Sequence, residues 1–247
     1  RPAVSIIAPV TGRQFTSTAL GAAESVQLTI KNLDDAASSG NYDLSYQVNG
    51  GAVVTQTIGT VIASLDSYTH TFSTTYDFSV PNTYIIKAWV KRTGDTQPLD
   101  DTTSITIKQL ANAPIILPLT DGFETTSAGE YTSNIMGLDG DDRADFKTNS
   151  ARGRARTFVN TGFALNGTRA VTLDQSTNGA LSADSLLMTY NAAAFNTGQQ
   201  LRVSFNYKNH GEDNNAGNKV WIRGSDTKPW VYAYDLVSNQ ASLGNWK

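Results

Sequence analysis

Residues 43–58, DLSYQVNGGAVVTQTI, decide the fold. Leu44, Tyr46 and Val48 alternate with polar neighbours, and that period of two marks a half-buried strand. Asn49-Gly50-Gly51 breaks the run before AVVTQTI resumes it. Asn-Gly between two such runs predicts a hairpin, because both residues tolerate the positive φ of a tight strand reversal. Outward from the hairpin the pattern repeats. AVSIIA (3–8) is short, β-branched and stopped by Pro9. Val26, Leu28 and Ile30 share one face of residues 25–31. Tyr68, His70 and Phe72 share one side of residues 67–78, which hold one or two strands. TYIIKAWVK (83–91) places Tyr84, Ile86, Ala88 and Val90 on one face and Ile85 and Trp89 on the other, which predicts a central strand. TTSITIK (102–108) closes the set. Seven short strands with turn signals between them predict an immunoglobulin-like sandwich.

The composition suits many short strands. The chain has 247 residues, enough for two domains at roughly 100–200 residues each. Hydrophobic residues make up 39% and charged residues only 17%, so Thr, Ser, Asn and Gln must supply much of the polar surface. The net charge of -3 offers no broad basic field to nucleic acid or an anionic membrane. The basic run RGRAR (152–156) reads as a local binding patch or as a solvated loop. With no cysteine, disulfides and thiolate-held metals are excluded. No apolar run approaches the roughly 20 residues that span a bilayer. The chain opens at Arg1-Pro2 and is expected to be a processed or partial one.

Three stretches of the first half, VQLTIKNLD, YDLSYQVNGGAVV and YTHTFSTTYDFSVPNTYIIKAWVKRTGDTQPLDD, carry a likeness. Together they resemble the bacterial cell-adhesion-related immunoglobulin-like modules, over residues 24–108. Modules of that family recur in large surface proteins of gliding or surface-colonising bacteria, often exported by the type IX route. The resemblance implies adhesion or spacing and brings no catalytic residues with it.

QLANAPIILPLTDGFE (109–124) joins this half to the next. Pro114 and Pro118 stiffen the stretch, and Ile115, Ile116 and Leu117 are too apolar for a free linker. They are expected to pack on a domain or to form the first strand of the second one, with the two domains at a fixed angle. The domains are placed at 1–113 and 114–247. Residues 125–160 show little regular pattern. RAVTLD (169–174), SADSLLMTY (182–190), LRVSFNY (201–207), KVWIRGS (219–225) and PWVYAYDL (229–236) read as strands linked by long loops, which suggests a jelly roll. Phe123-Glu124, DGDDRADF, NGTRAVTLD, LRVSFNYK and KVWIRGS resemble the MAM family of jelly-roll adhesion modules, over residues 121–247. MAM domains usually carry cysteines, which this chain lacks. The sequence also stops soon after the last Trp strand, so the jelly roll is expected to be incomplete, with its final strands beyond residue 247.

The MAM resemblance implies a structural calcium held by Glu124 with Asp139, Asp141 and Asp142. A hard cation wants six to eight oxygens, and carboxylates crowded into one loop repel unless neutralised. The run is not an EF-hand, because Arg143 takes the fifth position and Ser150 the closing one. The alternative is a solvated acidic turn with Arg143 as its own counter-ion. Trp221, Trp230, Tyr232 and Tyr234 could line a sugar-binding face or fill a sandwich core. The two histidines, His70 and His210, fall in separate halves, and no nucleophile elbow, zinc-helix motif or phosphate loop is present. The expected function is therefore non-catalytic: adhesion or spacing within a large secreted cell-surface protein. Its partners would be other domains of the same long chain, and a surface protein or glycan. Two rival readings stand beside it. One is a carbohydrate-binding appendage of a secreted hydrolase, which would need an exposed aromatic strip. The other is a structural subunit of a surface filament, with Ile115 to Leu117 at an intersubunit contact.

Overall fold

The computed structural model describes residues 2–38, 41–95, 101–159, 163–177, 183–195, 198–209, 217–238 and 244–247. The described residues are all β: fourteen strands and no helix. None of them therefore forms a helix long and apolar enough to cross a membrane. The chain divides into two compact units. The first contains residues 1–14 and 19–110, and the second contains Phe15–Thr18 and Ala111–Lys247.

The first unit holds β1 (Pro2–Ala8), β2 (Glu24–Asn32), β3 (Tyr42–Val48), β4 (Val53–Ile58), β5 (Ser67–Tyr76), β6 (Asn82–Arg92) and β7 (Thr102–Gln109). One sheet has the order β1-β2-β5 and the other β4-β3-β6-β7, all neighbours antiparallel. The β3–β4 hairpin turns with left-handed backbone at Asn49 (φ 49°) and Gly50 (φ 70°). The Gly51 amide closes the turn by donating to the Val48 carbonyl at 2.9 Å. β6 is central, between β3 and β7, as its two-sided pattern predicts.

Period-two side chains from both sheets fill the space between them. Val26, Leu28 and Ile30 come from one sheet, and Leu44, Tyr46, Ile86 and Val90 from the other. Tyr46 meets Phe72 edge to face with ring centres 4.7 Å apart, and its hydroxyl donates to the Thr74 carbonyl. Each side chain of this size stabilises by about 1.5–3 kcal/mol when fully buried. The strand pattern and this shared core make the first unit a seven-stranded sandwich.

The second unit holds β8 (Gly129–Tyr131), β9 (Ala144–Thr148), β10 (Gly153–Val159), β11 (Arg169–Gln175), β12 (Asp184–Met188), β13 (Lys219–Ile222) and β14 (Val231–Asp235). They form three small sheets: β11-β10-β8, β12-β9 and β13-β14. The structure corrects several expectations here. Residues 125–160 contain β8, β9 and β10, although their sequence shows little pattern. The reason lies in β10, where the buried positions among the described side chains are Gly153, Ala155 and Thr157, too small and too polar to give an apolar rhythm. Of the RGRAR run, Gly153 to Arg156 belong to this strand, and Arg152 lies exposed in the turn before it. Arg154 and Arg156 both pair with Asp174, and Arg154 also pairs with Glu130, so two of its positive charges are matched locally. Conversely, LRVSFNY forms no ladder through residues 201–206, and Tyr207 alone of this run exchanges backbone hydrogen bonds, with Lys247. Its Leu201, Val203 and Phe205 are exposed.

From Ala111 onward the joining stretch runs within the second unit. Pro114 bridges Asn191, and the Ile115 amide donates to the Asn191 carbonyl at 2.9 Å. Ile115 is half-buried, while Ile116 and Leu117 are exposed. Packing therefore takes one residue of the apolar trio and leaves two facing water.

Candidate functional site

Two places in the second unit gather the residues the sequence singles out. The first is the acidic loop before β9. Gly140 (φ 72°) and Asp142 (φ 60°) take left-handed backbone, which Gly and Asp tolerate, and fold the loop tightly. The Leu138 amide closes it by donating to the Ala144 carbonyl at 2.6 Å. Asp139 and Asp145 are fully buried, so the loop is not a solvated turn. Their carboxylates accept backbone amides. Asp139 Oδ1 takes those of Arg143 and Ala144, and Asp145 takes those of Gly137 and Phe15. Asp142 accepts the Ala111 amide at 2.9 Å.

The four residues assigned to calcium are not brought together. Asp139 and Asp141 join Asp121, with one oxygen from each within 4.8 Å of the others. Glu124 is engaged elsewhere. Its carboxylate accepts the Thr168 amide, the Thr168 hydroxyl and the Arg169 amide, all at 2.8–3.2 Å. Those bonds, the Thr168 hydroxyl first, hold its pKa below the usual carboxylate value. Glu124 thus caps the turn that starts β11 and ties the Phe-Glu stretch to NGTRAVTLD. Gly167 belongs to the same arrangement: its φ is 71°, and a Cβ there would lie 2.4 Å from Glu124 Oε1.

The space among Asp121, Asp139 and Asp141 already holds a positive charge. Arg143 Nη2 lies 3.2 Å from Asp121 Oδ2 and 2.8 Å from Asp141 Oδ2. Its Nε lies 4.0 Å from Asp139 Oδ2. That buried oxygen has no hydrogen-bond partner, and burial pushes the Asp139 pKa up. Three carboxylates meet here, one of them with an oxygen committed to two amides. A guanidinium wedged among them adds donors where a metal wants acceptors. With Arg143 in place, the residues present do not fit a calcium ion.

The second place is the β13–β14 hairpin. Trp221 pairs with Tyr232 and Ile222 with Val231. The Trp221 and Tyr232 rings meet at 5.6 Å and 70°. The Arg223 guanidinium lies 4.5 Å from the Trp230 ring centre, and the Lys219 ammonium 5.8 Å from that of Tyr232. Such cation–ring contacts are worth roughly 0.5–1 kcal/mol at exposed sites and fix ring orientation. All three rings are about half exposed: Trp221 49%, Trp230 48% and Tyr232 49%. Tyr234 leaves the strip and meets Phe205 and Tyr207 instead.

A relay of polar contacts holds the strip. Arg223 donates to Asp226 Oδ1 at 2.8 Å. Asp226 also accepts the Thr16 and Thr18 hydroxyls and the Ser17 and Thr18 amides. Desolvation alone would raise the pKa of Asp226, but these bonds outweigh it and hold the carboxyl far below its ordinary range. Sequence reasoning found the rings and missed Lys219, Arg223 and Asp226. The signal was present in KVWIR, where Lys219, Trp221 and Arg223 alternate. No local cue tied Asp226 to residues 16–18, which are about 210 positions away.

No catalytic constellation assembles around His70. Its ring meets Phe72 at 4.9 Å, its Nε2 contacts Gln56 Oε1 at 2.7 Å, and partial burial lowers its pKa. His210 lies outside the described residues.

Comparison with known proteins adds little. No family model matches the chain, and no curated protein matches it. It is similar to the solution structure of the CARDB domain of a Pyrococcus furiosus protein, with a TM-score of 0.32 and 15% identity. That match covers 44% of this chain and 93% of the other. The likeness is slight, and the sandwich of the first unit rests on its own strand order and core.

Proposed function

We propose that the chain is a pair of non-catalytic modules of a large secreted surface protein, acting in adhesion, and that the β13–β14 strip is its contact with a glycan. The observation that carries this reading is the half-exposure of Trp221, Trp230 and Tyr232 on one short hairpin. A sandwich core would have enclosed them. Flat rings stack on the apolar faces of sugars at small entropic cost, since each has only two side-chain torsions. The cations beside the rings offer donors to ring oxygens and hydroxyls. Placement at the cell surface, with export by the type IX route, rests on the resemblance of residues 24–108.

Affinity electrophoresis in gels containing soluble polysaccharides, neutral and acidic, tests the contact. At least one polymer is expected to retard the protein, and the double variant W221A/W230A should run unretarded in it. Equal mobility of both proteins in every gel would remove the glycan contact and leave spacing alone.

One observation favours assembly as a second reading. Residues 201–206 carry strand alternation without a ladder, and Leu201, Val203 and Phe205 face water, as do Ile116 and Leu117. An unpaired strand-like segment of this kind is a template for strand addition. Sedimentation velocity over a wide concentration range separates the readings, because a filament subunit would form larger species as concentration rises and a spacer would not.

A further inference from the structure

We infer that Arg143 occupies the cation's place in the acidic loop, so that the guanidinium does permanently what a bound calcium ion does in the family the loop resembles. The argument starts from charge. Asp121, Asp139 and Asp141 bring three carboxylate oxygens within 4.8 Å of one another. Unneutralised, such a group is costly, most of all for the fully buried Asp139. The neutralising charge comes from within the loop. Arg143 reaches Asp141 at 2.8 Å and Asp121 at 3.2 Å with one nitrogen, and turns its Nε toward Asp139 Oδ2 at 4.0 Å.

The backbone supports this placement. The Arg143 amide donates to Asp139 Oδ1, and its carbonyl accepts the Thr189 amide at 2.9 Å. Residue 143 is thereby pinned above the carboxylates from both sides of its Cα. Glu124 and Asp142, the other two expected ligands, are bound to backbone amides elsewhere. With a planar five-donor group in the centre and two ligands withdrawn, the loop is a self-contained ion cluster. The residue that rules out an EF-hand is the one that supplies the neutralising charge.

The test is thermal unfolding of the whole chain, wild type and R143Q, in EDTA and in excess calcium chloride, with sodium chloride at equal ionic strength as control. The wild type is expected to melt at the same temperature in all three. R143Q is expected to melt several degrees lower in EDTA and to recover in calcium but not in sodium chloride, because the clustered carboxylates then lack only a cation. Saturable stabilisation of the wild type by calcium would overturn the inference. So would an R143Q variant that melts like wild type in EDTA, or one that calcium fails to restore. Should R143Q not fold, calorimetric titration of the wild type with calcium chloride decides alone: a flat trace supports the inference and a one-site isotherm overturns it.

Discussion

Asp226 shows how much one side chain can organise. Its carboxylate collects two hydroxyls, two amides and the Arg223 guanidinium, and so orders the cation that lies on Trp230. Because its folded pKa is depressed, the ionised form contributes stability that is complete above the ordinary carboxylate range. That contribution is lost as pH falls through the depressed value. The gap in melting temperature between wild type and D226N should therefore be widest near neutrality and shrink below about pH 4; a gap constant down to strongly acidic pH would show that the charge of Asp226 contributes nothing. Gly12 is a second critical position, since a Cβ there would lie 2.3 Å from the Lys108 carbonyl oxygen. G12A is expected to cost about 1–3 kcal/mol by overpacking, read from urea unfolding of the first unit. Neither role was legible in sequence, because both depend on partners roughly a hundred or more positions away. Glu124 was singled out only by the family resemblance, and in the role of a ligand; the fold instead shows it bonded to Thr168 and Arg169.

At the scale of strands and turns, legibility followed burial. Strands with one large apolar face, such as β2, β3 and β6, appear where the period of two places them. The β3–β4 turn was equally plain, because Asn49-Gly50 supplies the left-handed backbone it needs. A G50V substitution should therefore cost about 1–2 kcal/mol, measured by chemical unfolding. F72A removes a fully buried ring packed on Tyr46 and should cost roughly 3–5 kcal/mol in the same assay. Where the buried face is small or polar the signal fails. β10 hides behind Ala155 and Thr157 on one side and ion-paired arginines on the other. LRVSFNY fails in the opposite sense. Its alternation gives a capacity to form a strand, but pairing depends on a partner that no local pattern specifies.

Over the whole molecule the two units differ in how much apolar surface they hide. Among the described residues, the second unit buries only four hydrophobic side chains, Leu138, Ala144, Phe146 and Ala155, whereas eighteen buried hydrophobic side chains of the first unit form one continuous core. Calorimetry should accordingly resolve two transitions, the lower one erasing the β13–β14 tryptophan signal and the upper one melting the first sandwich; a single sharp transition would refute this independence. The all-β architecture was readable from strand periodicity. The exposure of the aromatic strip was not, because rings at alternate positions suit a core and a binding face equally well. That exposure is the centre of the functional account, and tryptophan fluorescence during titration with a panel of soluble polysaccharides tests it most directly. The account predicts a saturable change in emission with at least one polymer, abolished in W221A/W230A while the protein remains folded. Emission unchanged by every polymer in the panel, or a change that survives in the double variant, would contradict it.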